Sequence, residues 1–254
     1  MYLETNWQSK AELHREYKKF CSDKGLKPAA YKQFCEVFYE SNLSLFSPKK
    51  DQCDLCCSYE ADNLPESEYS LHVDRKNEAR EAKSLDKSGP ARVFTMDLQA
   101  LLLSPRLEAS ALYYKSKLKV HNFTIYDLQR NDGYCFLWHE CEGGMNASEF
   151  ASIVVHFIET NIKDDSEIIF YSDGCTYQNR NSIMSNALAR LAKQKGITIT
   201  QKFLEKGHTQ MDCHSMHAII EKRLRNRQIY TPAGYVEVCA TARLILGPYI
   251  FQGF

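Results

Sequence analysis

From Arg92 to Arg227 the hydrophobic period changes in a fixed order, and that order constrains the fold more than any single residue does. Residues 92–103 read as a strand, 111–127 as a second with alternating Tyr, Lys, Val, Phe and Ile, and 133–140 as a third rich in aromatics. Gly143 and Gly144 break the pattern. Ser148, followed by apolar Phe150, Ile153, Val154, Phe157 and Ile158, marks a capped amphipathic helix. Then come a strand over 167–173, a helix over 181–195 closed by Gly196, a strand over 197–204 and a helix over 214–227. The series is β-β-β-α-β-α-β-α, an α/β arrangement in which crossover helices permit parallel pairing.

Two of these strands, the first and the fourth, deliver an aspartate at their carboxyl ends, Asp97 and Asp173. The plain use of Asp at a strand exit is to cap a turn or a following helix. The sharper use is a shared metal site, and the order of elements is what favours it.

That order, with an acid on the first and fourth strands, resembles the RNase H-like fold of nucleases, integrases and DDE transposases over roughly residues 91–230. The resemblance implies a mixed sheet flanked by helices, with Asp97 and Asp173 on neighbouring strands. It also implies a third acid at the start of the last helix, Asp212, and a further carboxylate, Glu149, in the first turn of the first helix. The wording of four segments, Pro48 to Cys56, Asp97 to Gln99, Phe170 to Asn181 and Lys202 to Met211, looks like a group of transposon-derived proteins abundant in animal genomes, relatives of DDE transposases. In that group acids occupy both positions corresponding to Asp212 and His214. This chain has His at the second.

Phosphodiester cleavage needs an activated nucleophile and a stabilised leaving oxygen, which two Mg²⁺ or Mn²⁺ ions roughly 3.5–4 Å apart supply when held by hard carboxylate oxygens. The resemblance therefore assigns Asp97 to both ions, Asp173 to one and Asp212 to the other. His214, His217 or His208 would serve as a proton carrier or phosphate contact, against the commoner use of such a His as an ordinary surface or packed residue.

Net charge is zero, so composition alone does not direct the chain to nucleic acid. Its distribution is uneven: residues 173–230 hold ten Lys or Arg against four acids. Arg180 and the run Lys222, Arg223, Arg225 and Arg227 are the expected DNA-backbone contacts, with a solvated helix face as the equal alternative. No apolar run approaches the ~20 residues a membrane span needs, and ten scattered cysteines suit a reducing compartment. A nuclear or cytoplasmic location without membrane contact is expected. A homo-oligomer is left open.

Cys53 and Cys56 form a CxxC, half of a zinc knuckle, with a free thiol pair in a loop as the alternative. His72, the third ligand in the resembling group, is the best partner, and Cys57, Cys35 or an acid the fourth. Upstream, two helices over 10–22 and 29–41 are broken at Gly25 and Pro28. The expected organisation is a helical segment over 1–47, a zinc knuckle and linker over 48–88, the RNase H-like domain over 91–230 and a tail over 231–254. The abrupt start and the stop at Phe254 leave open that the chain is a fragment. Function is expected to be a transposase-derived, divalent-metal-dependent polynucleotidyl transferase or nuclease acting on DNA, the alternative being an inactive, domesticated DNA- or protein-binding module.

Overall fold

The structure is a computed structural model that describes residues 9–41, 43, 45, 52–112, 115–163, 165–243 and 249–252. It divides into two compact units, residues 1–52 and 53–254. The basic lead-in over 48–51 lies outside the described residues.

The first unit is a helical pair, α1 (Lys10–Asp23) and α2 (Tyr31–Glu40). Ser9 caps α1 by accepting from the Glu12 amide, and Gly25 turns the chain at φ +66°. Between the helices His14 is buried, its Nε2 3.0 Å from the Ala29 carbonyl, and Tyr17 and Phe34 pack against it. The pair therefore holds together by a small aromatic core.

The second unit opens with α3 (Asp54–Glu60) and α4 (Glu66–Ser88). The sheet that follows comprises β1 (Arg92–Leu98), β2 (Leu102–Ser104), β3 (Leu118–Asp127), β4 (Gly133–His139), β5 (Glu167–Ser172), β6 (Thr198–Phe203) and β7 (Ile250–Gln252). Its helices are α5 (Ala147–Asn161), α6 (Ser182–Lys195), α7 (Asp212–Leu224) and α8 (Ala233–Thr241). The strand order is β6-β5-β1-β3-β4-β7, with β2 beside β3. Strands β1, β5 and β6 run parallel, and β3 runs antiparallel to both β1 and β4. This is the expected mixed sheet flanked by helices.

Alternation along β1 sorts the layers. Phe94 and Met96 face one side, where Phe157 of α5, Phe170 of β5 and Leu188 of α6 complete a core. Val93 faces the other with Ile169, Tyr171 and Cys213. The rings of Phe94 and Phe157 meet edge-on at 5.1 Å, a geometry that adds roughly 0.5–1.5 kcal/mol to simple burial. Arg92 is fixed at the start of β1 by donating from Nε to Asp127 Oδ2 at 2.9 Å.

Several boundaries differ from the sequence reading. The expected 92–103 strand is two strands: the Gln99 amide still bonds the Asn122 carbonyl in the β1–β3 register, the ladder breaks at 100–101, and β2 resumes antiparallel pairing with β3 shifted by one residue. The second strand starts at Leu118 rather than 111, where a short 3-10 turn stands instead. The linker expected at the end of the 48–88 segment is helical instead: α4 continues to Ser88 with Gly89 as its cap. Residues 53–88 belong to the same compact unit as the sheet, so a separate zinc module over 48–88 is replaced by two helices joined to it. The 231–254 tail carries α8 and β7, which pack into and extend the same sheet.

Candidate functional site

In the parallel β1–β5 pair Thr95 stands opposite Tyr171. Two residues beyond this last pair, Asp97 lies near the end of β1 and Asp173 directly after β5. Helix α7 packs across the carboxyl edge of the sheet, and its rotation is fixed by Cys213. The Cys213 thiol is buried, lies 3.1 Å from the Thr95 carbonyl, and burial pushes its pKa up to about 12, so it remains a neutral packing group. At ~100° per residue, its two neighbours must then leave the helix on opposite flanks.

His214 takes the flank that meets Asp97, with its Nε2 3.2 Å from Asp97 Oδ2. His217, one turn on, brings its Nδ1 to 3.9 Å from the same oxygen. Its Nε2 lies 2.7 Å from Thr124 Oγ1, and Thr124 donates to the Asp97 carbonyl at 3.0 Å. Thr124 Oγ1 therefore sits between the His217 ring and the Asp97 backbone and ties the two together. Burial holds the His217 pKa down to about 4, against the opposing pull of Asp97. A neutral imidazole beside a carboxylate offers nitrogen and oxygen donors of the kind that bind a divalent cation.

Asp173 Oδ1 accepts from the Cys175 amide at 3.2 Å and Asn179 Nδ2 at 2.8 Å, which orients its carboxylate as a loop cap would. Asp212 occupies the other flank of α7. Its Oδ2 is 2.7 Å from Lys83 Nζ on α4. Among the described residues, neither Asp97, Asp173 and Asp212 nor Asp97, Asp173 and His214 form a group whose ligand atoms all lie within 4.8 Å of one another. The acid expected as third ligand is thus turned toward Lys83, and His214 stands where it was expected. Glu149 opens α5, bonded locally to Ser148 and Asn146, and the hydrogen bond from Ser148 does most to lower its pKa.

A second cluster gathers Cys53, Cys56, His72 and His208, all four with ligand atoms within 4.8 Å of one another. Cys53 Sγ is 3.3 Å and Cys56 Sγ 3.7 Å from His72 Nε2, and Cys56 Sγ is 3.3 Å from His208 Nε2. Tetrahedral zinc with bonds of ~2.3 Å to sulfur and ~2.0 Å to nitrogen separates such ligands by about 3.5 Å, so the donor set fits that ion. His72 Nδ1 lies 3.1 Å from Glu205 Oε1, the carboxylate contact that fixes a ligating imidazole's tautomer. The fourth member of this cluster is His208, not Cys57, Cys35 or an acid. The sequence signal for it was Gly207-His208, a turn-forming Gly next to a His far along the chain.

The basic residues are divided. Arg223 Nε donates to the Ala242 carbonyl and Arg227 pairs with Glu237 at 3.5 Å, so both serve partly to hold α8. Arg180 stacks over Phe203 at 5.6 Å, while Lys222 and Arg225 are exposed.

The chain belongs to the family described as Domain of unknown function (DUF8701), which matches residues 108–245. That span includes Asp173, Asp212, His214 and His208 but begins after Asp97 and the CxxC. No curated protein matches the chain in sequence. Among solved structures it is similar to a chain of the Mos1 strand transfer complex, at 11% identity over 94% of this chain and 80% of that one, TM-score 0.38. It is also similar to a chain of a pre-cleavage Mos1 transpososome, at 11% identity over 92% and 93%, TM-score 0.35. Among the described residues, no helix is long and apolar enough to cross a membrane.

Proposed function

We propose that this protein is a transposase-derived, divalent-metal-dependent enzyme acting on DNA phosphodiester bonds, as a nuclease or polynucleotidyl transferase, at the sheet edge that bears Asp97 and Asp173. The observation that supports this reading is the parallel β1–β5 pairing, since each of these strands leads to an acid at its carboxyl end, together with an imidazole 3.2 Å from Asp97. Asp97 and His214, already 3.2 Å apart, are the residues that would hold the ion, with Asp173 joining them only if its carboxylate draws closer than it stands here. Bound there, a divalent ion would polarise a phosphoryl oxygen and lower the pKa of a water. Thr124 anchors Asp97 and His217 together, and Asn179 with the Cys175 amide orients Asp173. A donor set that mixes carboxylate with imidazole suits Mn²⁺ better than Mg²⁺. Cys53, Cys56, His72 and His208 are assigned to a structural zinc.

One observation favours a second reading, an inactive DNA-binding module: the carboxylate of Asp212 is engaged by Lys83 instead of facing Asp97. Cleavage of a labelled duplex by the wild type, Asp97→Asn and His214→Asp, titrated with each metal, separates the two. The enzyme reading expects Mn²⁺-dependent cleavage that falls at least ~100-fold in Asp97→Asn, and Mg²⁺ activity gained in His214→Asp. Binding without cleavage under every metal would leave the second reading standing alone.

A further inference from the structure

Helix α4 keeps its charges on separate faces. At ~100° per residue, Lys76, Arg80, Lys83 and Lys87 fall within an arc of about 60°, whereas Asp74, Glu78 and Glu81 lie on the opposite side. The cationic arc borders a groove of about 460 Å³ whose far wall is the segment between β6 and α7. Arg80, Lys83, Ser84 and Lys87 line one side, and His208, Gln210 and Asp212 the other. Lys83 spans it to Asp212, and Arg80 reaches Gln210 Oε1 at 3.4 Å. One acid thus faces three cations, with polar groups between them. That chemistry favours a polyanion over an apolar ligand.

The location adds a second argument. The first turn of α7 separates this groove from the carboxylate edge: Asp212 looks into the groove, and His214, two residues on, meets Asp97. A strand lying in the groove would therefore continue past the start of α7 toward Asp97. The cations from Lys76 to Lys87 extend over ~16 Å of helix, against one phosphate per ~3.4 Å along each strand of a duplex, so several can find a phosphate at once.

We propose that this groove, and not the basic run at the end of α7, is the principal contact for the sugar-phosphate backbone of DNA. It rests on the reading of DNA as the partner, given above. The test is anisotropy of a labelled duplex of about 30 base pairs as salt is raised from roughly 50 to 200 mM. Wild type is compared with Arg80→Gln/Lys87→Gln, both at exposed positions, and with Arg225→Gln/Arg227→Gln. The groove variant should bind at least ~10-fold more weakly at low salt. Its log-log salt slope should be shallower by about 2, near one unit for each phosphate that a removed cation had neutralised. Circular dichroism and melting temperature should be unchanged, and Lys87→Gln alone should give the same direction with about half the change in slope. If the groove variant binds like wild type while the α7 variant weakens, the groove assignment is overturned and the DNA reading stands. Wild type that binds no DNA would overturn both. Competition by poly-glutamate as effective as by DNA of equal charge would overturn DNA as the occupant.

Discussion

His217 stays neutral beside the Asp97 carboxylate in the candidate site. Its side chain is 10% exposed, and burial holds its pKa at about 4 against an ordinary value of 6.5. As pH falls below 6.5 the unfolded chain takes up this proton before the folded one does, so stability is complete above that value and is lost as pH falls toward 4. For the metal-free protein, unfolding free energy should rise on the order of 3 kcal/mol between pH 4 and 6.5, and most of that rise should vanish in His217→Gln, which keeps a hydrogen-bonding group for Thr124. Chemical denaturation at a series of pH values measures both; an equally steep rise in the variant would show that other groups set it. Asp97 and Asp173 were legible in the sequence because a strand exit is a local pattern. His217 was named only as one of three histidines without a way to choose among them, because its partners Thr124 and Asp97 come from two strands remote in sequence. The choice between Asp212 and His214 depended on the rotation of α7, which only the burial of Cys213 against β1 determines.

At the scale of elements, the segment from β6 to α7 carries both His208 and Asp212, and Gly207 lets it approach Cys53. Gly207 has φ +79°, and a Cβ there would lie 2.6 Å from Cys53 Sγ and 3.1 Å from its Cα. Gly207→Ala must therefore push this segment off Cys53 as well as adopt a strained backbone, at a cost of about 1–3 kcal/mol. That displacement moves His208, so zinc affinity measured by chelator competition should fall at least ~10-fold, since 1.4 kcal/mol is one decade. An unchanged affinity would mean that the ion does not use His208. The strands and helices from β3 to α7 were readable because each holds its period over six residues or more. Three-residue β2 and β7 are too short to show one. The end of α4 was misread for a different reason: Gly89 and Pro90 do break the chain, but as the cap of a helix that still places Asp86 against Lys202 and Tyr171.

For the second unit as a whole, the zinc cluster changes what loss of the ion should do. An independent amino-terminal knuckle would unfold alone on chelation and leave the sheet intact. Here Cys53, Cys56 and His72 lie before the first strand while His208 follows β6, so the ion would tie α3 and α4 to the sheet across 152 residues between Cys56 and His208. Further ties run in parallel: Lys83 with Asp212, Lys202 with Asp86, and Tyr171 with Asp86. Because α4 also packs Ala79 against the core that holds Cys213, displacing it exposes apolar surface beneath α7. Chelation, or Cys53→Ser, should therefore lower the melting temperature of the sheet itself. A loss of about 3 kcal/mol corresponds to roughly 10 °C for a unit of this size. In a Trp7→Phe background, melting followed by Trp138 fluorescence in β4, far along the sheet from β6, reports on the sheet and not on α3 or α4. If Trp138 melts at the same temperature with and without chelator while helical signal is lost early, the zinc holds only a local appendage, and the segment leading to Asp212 and His214 keeps its place without it.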